Sequence, residues 1–244
     1  MRVNILQNCF DLVWPRVCEI CGEAVEKPAR HICASCLMRI PFVQQVGCCS
    51  ICGRPVIGLE CDYLCEDCVA AQTRPAFDRA GSVFRFEGEA RQLILGYKFN
   101  RHLWMRDDFV DWLFAALNVR FNVPAIDLVL PMPNTLFHRI DRGYNQCAYL
   151  AKPLAKLIER TYDDSILRRK GHPKRQSHLT AEERRQNAIG TFRVQHPERI
   201  RGRTVLVVDD VMTTGSTLSE CAKELKAAGA HRVWCITLAR SIRD

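Results

Sequence analysis

The sequence contains no G-x-x-x-x-G-K-[ST] loop, so nucleotide binding by that route is excluded. No apolar run approaches the ~18 residues that a membrane-spanning helix needs. The stretch from Met1 to Trp14 also lacks the unbroken apolar core of a secretory leader, because Asn4, Gln7, Asn8 and Asp11 interrupt it. It reads instead as a short amphipathic helix with Val3, Leu6, Phe10 and Val13 on one side, and the product is expected to stay in the cytoplasm. No convincing general base or nucleophile stands out, and neither His172 nor His178 has neighbours that argue for catalysis. Disorder is excluded as well, since 48% of the 244 residues are hydrophobic and only 25% charged. That length allows one large or two modest domains with a sizeable core.

Cysteine is abundant and unevenly placed. Of 14 cysteines, 11 precede residue 70, and eight of these form C-x-x-C pairs: Cys18/Cys21, Cys33/Cys36, Cys49/Cys52 and Cys65/Cys68. Two thiolates two residues apart reach one tetrahedral Zn²⁺, and four close a structural site with no open coordination position. Cys21-Gly22 and Cys52-Gly53 suit tight turns that aim backbone amides at sulfur. The first and third pairs are 31 residues apart and the second and fourth 32, which predicts an internal duplication, two zinc ribbons in tandem. With no secretory leader, a disulfide framework is the weaker alternative. Which pairs share a metal stays open, because Cys48 and Cys61 are spare thiols and the ribbons could exchange partners. His31 reads as a bystander.

Charge divides the chain in the same place. Residues 1–78 hold 7 Lys/Arg against 9 Asp/Glu, whereas residues 79–244 hold 28 against 18. Residues 168–203 alone hold 11 against 3, an excess equal to the net +8 of the whole chain. Such a run is usually a solvated face, but this density favours a polyanion, with Arg168, Arg169, Lys174 and Arg175 as candidate contacts for single-stranded DNA.

The stretch around which the rest is organised is Thr204 to Thr217, TVLVVDDVMTTGST. Val205 to Val208 reads as a central strand buried on both faces. Asp209 and Asp210 fall at its carboxyl end, where ligands bind in an open α/β sheet. Thr213, Thr214, Gly215, Ser216 and Thr217 then turn into a helix with Leu218, Cys221, Leu225 and Ala228 on its apolar face. Small residues and hydroxyls at a helix amino terminus suit a phosphate, while the carboxylates suit ribose hydroxyls and a hard cation such as Mg²⁺. This stretch resembles the phosphoribosyl pyrophosphate (PRPP) motif of type I phosphoribosyltransferases. There the acidic pair holds the ribose diol and the loop holds the 5′-phosphate.

Between these two regions, Arg74 to Asp78 marks a boundary. A strand is expected over Ser82 to Phe86, then a helix from Gly88 to Phe99 ending on Lys98 and a second from Trp104 to Asn118, with Phe109, Trp112, Leu113 and Ala116 inward. A further strand, Asp127 to Leu130, runs into Pro131-Met132-Pro133-Asn134, whose fixed backbone could offer amides to pyrophosphate. Arg142-Gly143-Tyr144-Asn145-Gln146 opens the next helix. After a strand at Ser165 to Leu167, residues 170–180 lead to a capping box, Thr180 with Glu183. That segment is either a lid over the site or a plain solvated loop. His231 to Leu238 supplies one more strand.

In this order, the four C-x-x-C pairs, the Lys-ending helix, P-x-P with RGYNQ, QSHLTAEERRQNAIGTF and VVDDVMTTGST resemble the ComF family over nearly the whole chain. The resemblance implies a zinc module over residues 1–78 and, over 79–244, a type I phosphoribosyltransferase-like domain. The latter is α/β, doubly wound, with a mainly parallel sheet. It further implies PRPP with Mg²⁺ at Asp209, Asp210 and Thr213 to Thr217, a pyrophosphate loop at Pro131 to Asn134 joined by Arg142 and Asn145, and an association with natural transformation, alongside competence or recombination proteins. Asp141 stands where the family often has Glu, and RRKGHPKR at 168–175 is more basic than the family pattern. Turnover is left open. The rival reading is a salvage enzyme that transfers a phosphoribosyl group to a nucleobase, disfavoured here because the zinc ribbons are expected to occupy the place of the hood over the base.

Overall fold

A computed structural model describes residues 16–43, 47–55, 63–70, 72, 74–134, 143–170 and 190–242. The expected helix over Met1 to Trp14, the capping box at Thr180, and Arg142, Lys174 and Arg175 lie outside the described residues.

The centre is a five-stranded sheet. Its strands are β1 (Arg79–Arg85), β2 (Leu128–Pro131), β3 (Thr161–Tyr162), β6 (Thr204–Met212) and β7 (Arg232–Arg240), in the order β1-β7-β6-β2-β3. Every neighbouring pair is parallel. A separate antiparallel ribbon joins β4 (Leu167–Arg169) to β5 (Phe192–Val194). Four helices cover the main sheet: α3 (Gly88–Phe99), α4 (Arg106–Arg120), α5 (Gln146–Leu157) and α6 (Ser216–Ala227). The zinc module contributes two single turns, α1 (Ala34–Leu37) and α2 (Glu66–Val69).

Period-two alternation divides the core between the two faces of the sheet. Val129, Leu206, Val208, Trp234 and Ile236 pack with Ile94, Leu113 and Leu154 of α3, α4 and α5. Leu128, Leu130, Val205, Val207 and Cys235 pack instead with Leu218, Cys221 and Leu225 of α6. The β-branched and aliphatic runs are continuous because both faces are covered, as a parallel sheet requires.

The structure shifts several boundaries. β1 begins at Arg79, because its register with Trp234 of β7 starts there. α4 begins at Arg106, after a 3-10 turn at Leu103–Met105, so Trp104 is half exposed outside the helix and donates Nε1 to Glu19 at 2.6 Å. The strand expected at Ser165 to Leu167 is instead Leu167–Arg169 and joins the small ribbon. β6 runs on to Met212, because β7 stays paired with it as far as Arg240. The acidic pair therefore lies inside the last turns of a strand and Asp210 is buried.

The two halves of the zinc module sit on opposite faces of the sheet. Cys18, Ile32, Cys36 and Ile40 join the core formed with α3, α4 and α5. Ile51 and Cys52 pack against the α6 side.

Candidate functional site

The cysteines form two tetrads, Cys18/Cys21/Cys33/Cys36 and Cys49/Cys52/Cys65/Cys68, whose ligand atoms in each case lie within 4.8 Å of one another. Consecutive pairs thus share a site, which settles the pairing that spacing left open. None of the eight is in a disulfide, and His31 belongs to neither tetrad, its Nδ1 lying 2.6 Å from the Asp108 carboxylate instead. The duplication is visible bond by bond. Cys18 N donates to Glu23 O at 2.7 Å and Cys49 N to Arg54 O at 2.8 Å, while Gly22 N and Gly53 N each return to the first cysteine's carbonyl at 2.8 Å. Those glycines have φ of 76° and 69°, the left-handed conformation that lets the turn close. Cys33 N and Cys65 N point at the sulfurs of Cys18 and Cys49, at 3.4 and 3.5 Å.

The donor set fits zinc. Hydrogen bonds from Ser35 and from backbone pull Cys33 down to about 6, whereas burial pushes Cys36 up to about 12. In the second tetrad the Cys52 thiol, donating to Cys49, pulls that group down to about 3, and burial pushes Cys68 up to about 12. Four crowded thiols cannot all ionise without a cation between them, and Zn²⁺ supplies that charge. The double zinc ribbon is therefore a structural metal module.

The second site is a cleft of about 330 Å³ at the carboxyl edge of the sheet. β6 supplies Asp209 and Asp210, the loop after it Thr213, Gly215, Ser216 and Thr217, the end of β2 Met132, Pro133 and Asn134, and α3 supplies Lys98. Gly215 takes φ 78° as the N-cap of α6, a conformation that only glycine adopts cheaply, and Thr214 and Ser216 share a hydroxyl hydrogen bond of 2.7 Å beside it. The two carboxylates are held differently. Lys98 Nζ lies 2.8 Å from Asp210 Oδ1 and Gln146 Nε2 donates to Asp210 Oδ2 at 2.8 Å. Burial alone would raise Asp210, but the ammonium and the amide outweigh it and hold the group below its usual range. Asp209 accepts from its neighbour's amide at 2.8 Å and from Cys147 Sγ at 3.4 Å. Burial and the Asp210 charge push it up to about 6.

A polar chain ties the β2 turn to these acids. Asn134 Nδ2 donates to Gln146 Oε1 at 2.9 Å, and Asn145 Nδ2 to Met132 O at 3.1 Å while its Oδ1 caps α5 by accepting from Cys147 N at 3.0 Å. Of the described residues of RGYNQ, Asn145 thus fixes the loop and Gln146 the acid. Tyr144 and Tyr97 brace it from behind, through Tyr144 Oη to Tyr97 O at 3.0 Å and Tyr97 Oη to Gln146 O at 3.1 Å.

Three residues matter here that the sequence reading did not place. Lys98 was read only as a helix end, and Gln146 only as a motif letter. Arg169, grouped above with Arg168 as a nucleic-acid contact, turns into this cleft over the Phe192 ring at 5.4 Å, because neighbouring strand residues face opposite ways. Arg168 stays exposed and donates to Gln195 at 3.2 Å. Among the described residues no zinc-module residue lines this cleft, and Arg169 of β4 and Phe86 complete its lining.

Residues 144–244 match the phosphoribosyl transferase domain family and residues 9–69 the double zinc ribbon domain family. The chain is 27% identical over 229 residues to Competence protein F of Haemophilus influenzae, covering 92% of this chain and 96% of that protein. The chain thus carries a phosphoribosyl transferase domain behind a double zinc ribbon. It is also 28% identical over 230 residues to the DNA utilization protein YhgH of Salmonella typhi, covering 92% of this chain and 98% of that one. Among solved structures, an adenine phosphoribosyltransferase from Leishmania donovani overlaps at a TM-score of 0.37 and 12% identity, covering 60% of this chain and 68% of that one, too remote to bear on activity. No helix among the described residues is long and apolar enough to cross a membrane.

Proposed function

We propose that the cleft binds PRPP with Mg²⁺ and that the protein acts in the cytoplasm on or beside single-stranded DNA during natural transformation, with competence or recombination proteins as partners. The observation that carries the first half is the convergence of an acidic pair, Asp210 buried and Asp209 half-buried, and a Gly215-centred loop in one cleft. The ribose diol would lie on Asp209 and Asp210, the 5′-phosphate on the amides and hydroxyls of Thr213 to Thr217, and the pyrophosphate along Pro131 to Asn134. The carboxylates of Asp209 and Asp210 would help to hold Mg²⁺, which when bound would offset the charge of the pyrophosphate. Lys98 and Arg169 add fixed positive charge in a partly buried setting, where it counts for more than in water. Were the C1′–oxygen bond to break, its electrons would leave with pyrophosphate towards those cations, and no protein nucleophile would be required. The DNA half is supported by the names of the relatives, one a competence protein and the others DNA utilization proteins, and by the charge of residues 168–203.

A second reading, phosphoribosyl transfer to a nucleobase, gains from one observation: among the described residues no ribbon residue lines the cleft. Incubating the purified protein with PRPP and Mg²⁺ and assaying pyrophosphate release separates the two. Release that depends on single-stranded DNA, or binding without release, is the expected result. Release driven by a free base alone would establish the salvage reading.

A further inference from the structure

A second cleft lies on the other side of the phosphate loop, between that loop and the second zinc ribbon. Met212, Thr213, Gly215 and Ser216 line both clefts, so the loop is a partition with a polar face on either side. The new cleft adds Arg54 from the ribbon, Arg74 from the connection to the sheet, and Arg240 from the carboxyl end of β7. Two acids line it as well, but both are engaged: Asp67 pairs with Arg54 at 2.5 Å and Glu220 accepts from Gly190 N at 2.9 Å. Arg240 is the telling residue. It is only 4% exposed; Nη1 donates to Cys52 O at 2.6 Å, and Nε is buried with no hydrogen-bond partner. A guanidinium serving only to offset thiolate charge would sit on sulfur, as Arg39 does on Cys36 Sγ at 3.1 Å in the first ribbon. Arg240 instead bonds a carbonyl and keeps a buried donor over, which is costly unless something accepts from it.

We propose that this cleft is a second phosphate site, taking a phosphate ester carried by a nucleotide or by a DNA strand back to back with the first cleft. The chemistry fits: a planar guanidinium fork suits phosphate oxygens, and Arg74, the Thr214 and Ser216 hydroxyls and a loop at a helix amino terminus surround the same space. The site stands whether or not the first cleft holds PRPP.

The test uses the full-length, zinc-loaded protein. Binding of a fluorescent 5′-phosphorylated oligodeoxynucleotide is measured by anisotropy, with AMP and inorganic phosphate as competitors, and PRPP with Mg²⁺ is titrated separately by calorimetry. Arg74→Glu and Arg240→Lys should each weaken the phosphate ligand on the order of tenfold or more while zinc content and PRPP affinity hold, since one lost charge-assisted hydrogen bond has about that effect. Competition by AMP identifies a free nucleotide as the source; competition by unlabelled strand alone identifies DNA. If neither ligand binds, or both variants bind as the wild type does, the proposal fails. It fails too if Asp209→Asn abolishes the phosphate ligand together with PRPP, for then the first cleft is the only site. If wild type binds the phosphate ligand but not PRPP, the functional reading falls and the second site stands.

Discussion

The two zinc ribbons share a backbone hydrogen-bond pattern but not a role. The first lies on the α3–α4 side, where its polar contacts are exposed or half exposed: Arg30 with Asp111 at 2.9 Å, Arg39 with Glu89 at 3.0 Å. The second is pinned from inside. Arg120, 4% exposed, donates to the carbonyls of Cys49 and Ala80; Arg240 donates to Cys52, and Ala80 N donates to Ile51 O at 2.6 Å. A Cβ on Gly53 would meet Ala80 O at 2.6 Å, so even this turn is fitted against the sheet. A duplicated unit keeps its local fold, since metal and glycine turns fix that. What it does depends on the face it covers. Among the described residues, only the second ribbon shares a cleft with the Thr213–Ser216 loop.

The largest expected effect breaks that comparison at its anchor. Arg120→Ala leaves two buried carbonyls short of donors and should cost about 3 kcal/mol or more in chemical denaturation, whereas Arg30→Ala, at an exposed pair, should cost under about 0.5 kcal/mol. Equal losses would mean that the ribbons are docked alike.

Next comes metal. The purified protein should carry about two Zn²⁺ per chain by elemental analysis. Cys65→Ser should remove one and raise amide exchange over 213–217 about tenfold, while Cys33→Ser should remove the other and loosen α4 instead. Exchange that rises at the loop in both variants would deny the second ribbon its particular link to the site.

How far the sequence carried these conclusions varies with the distance over which each feature is built. The β6 acids, the loop after them and the C-x-x-C pairs were legible because each is local: a strand, a turn and a spacing fix them. Lys98 was not, because its role exists only where the strand order β1-β7-β6-β2-β3 brings the end of α3 to Asp210. Arg240 was missed because the last strand was expected to end at Leu238, two residues short, and a strand's length is set by its neighbour β6. Arg169 and Arg168 looked alike in a basic run, and only the β4 pleat separates them.

Two smaller effects sharpen the contrast between the cleft and the basic surface. Asp209, raised to about 6 from a model-peptide value of 3.8 by burial and by Asp210, is protonated below that pH, so Mg²⁺-dependent PRPP affinity should fall about tenfold per pH unit under pH 6. For the ligand-free protein the sign reverses. A raised carboxyl contributes stability that is fully present below 3.8 and lost as pH rises through about 6. Titration calorimetry of the wild type across pH 5 to 8 checks the first, and thermal unfolding over the same range, with Asp209→Asn as the pH-insensitive control, checks the second. On the basic surface, Arg168→Ala with Lys174→Ala and Arg175→Ala should reduce the log-log salt slope for single-stranded DNA by about 2 units, at ~0.7 per phosphate contact, with little sequence preference. Arg169→Ala should leave that slope alone and weaken PRPP. An unchanged slope in the triple variant would move DNA contact elsewhere.

The central claim is that the acidic pair and the phosphate loop form a PRPP site, and calorimetric titration of PRPP with and without Mg²⁺ tests it most directly. Asn replacements are the right variants, because Asp210→Ala would strip the Lys98 ammonium of its buried partner and confuse folding with binding. The account predicts Mg²⁺-dependent binding to the wild type and its loss in Asp209→Asn/Asp210→Asn with zinc content unchanged. Undiminished binding in the double variant, or none in the wild type, would contradict it.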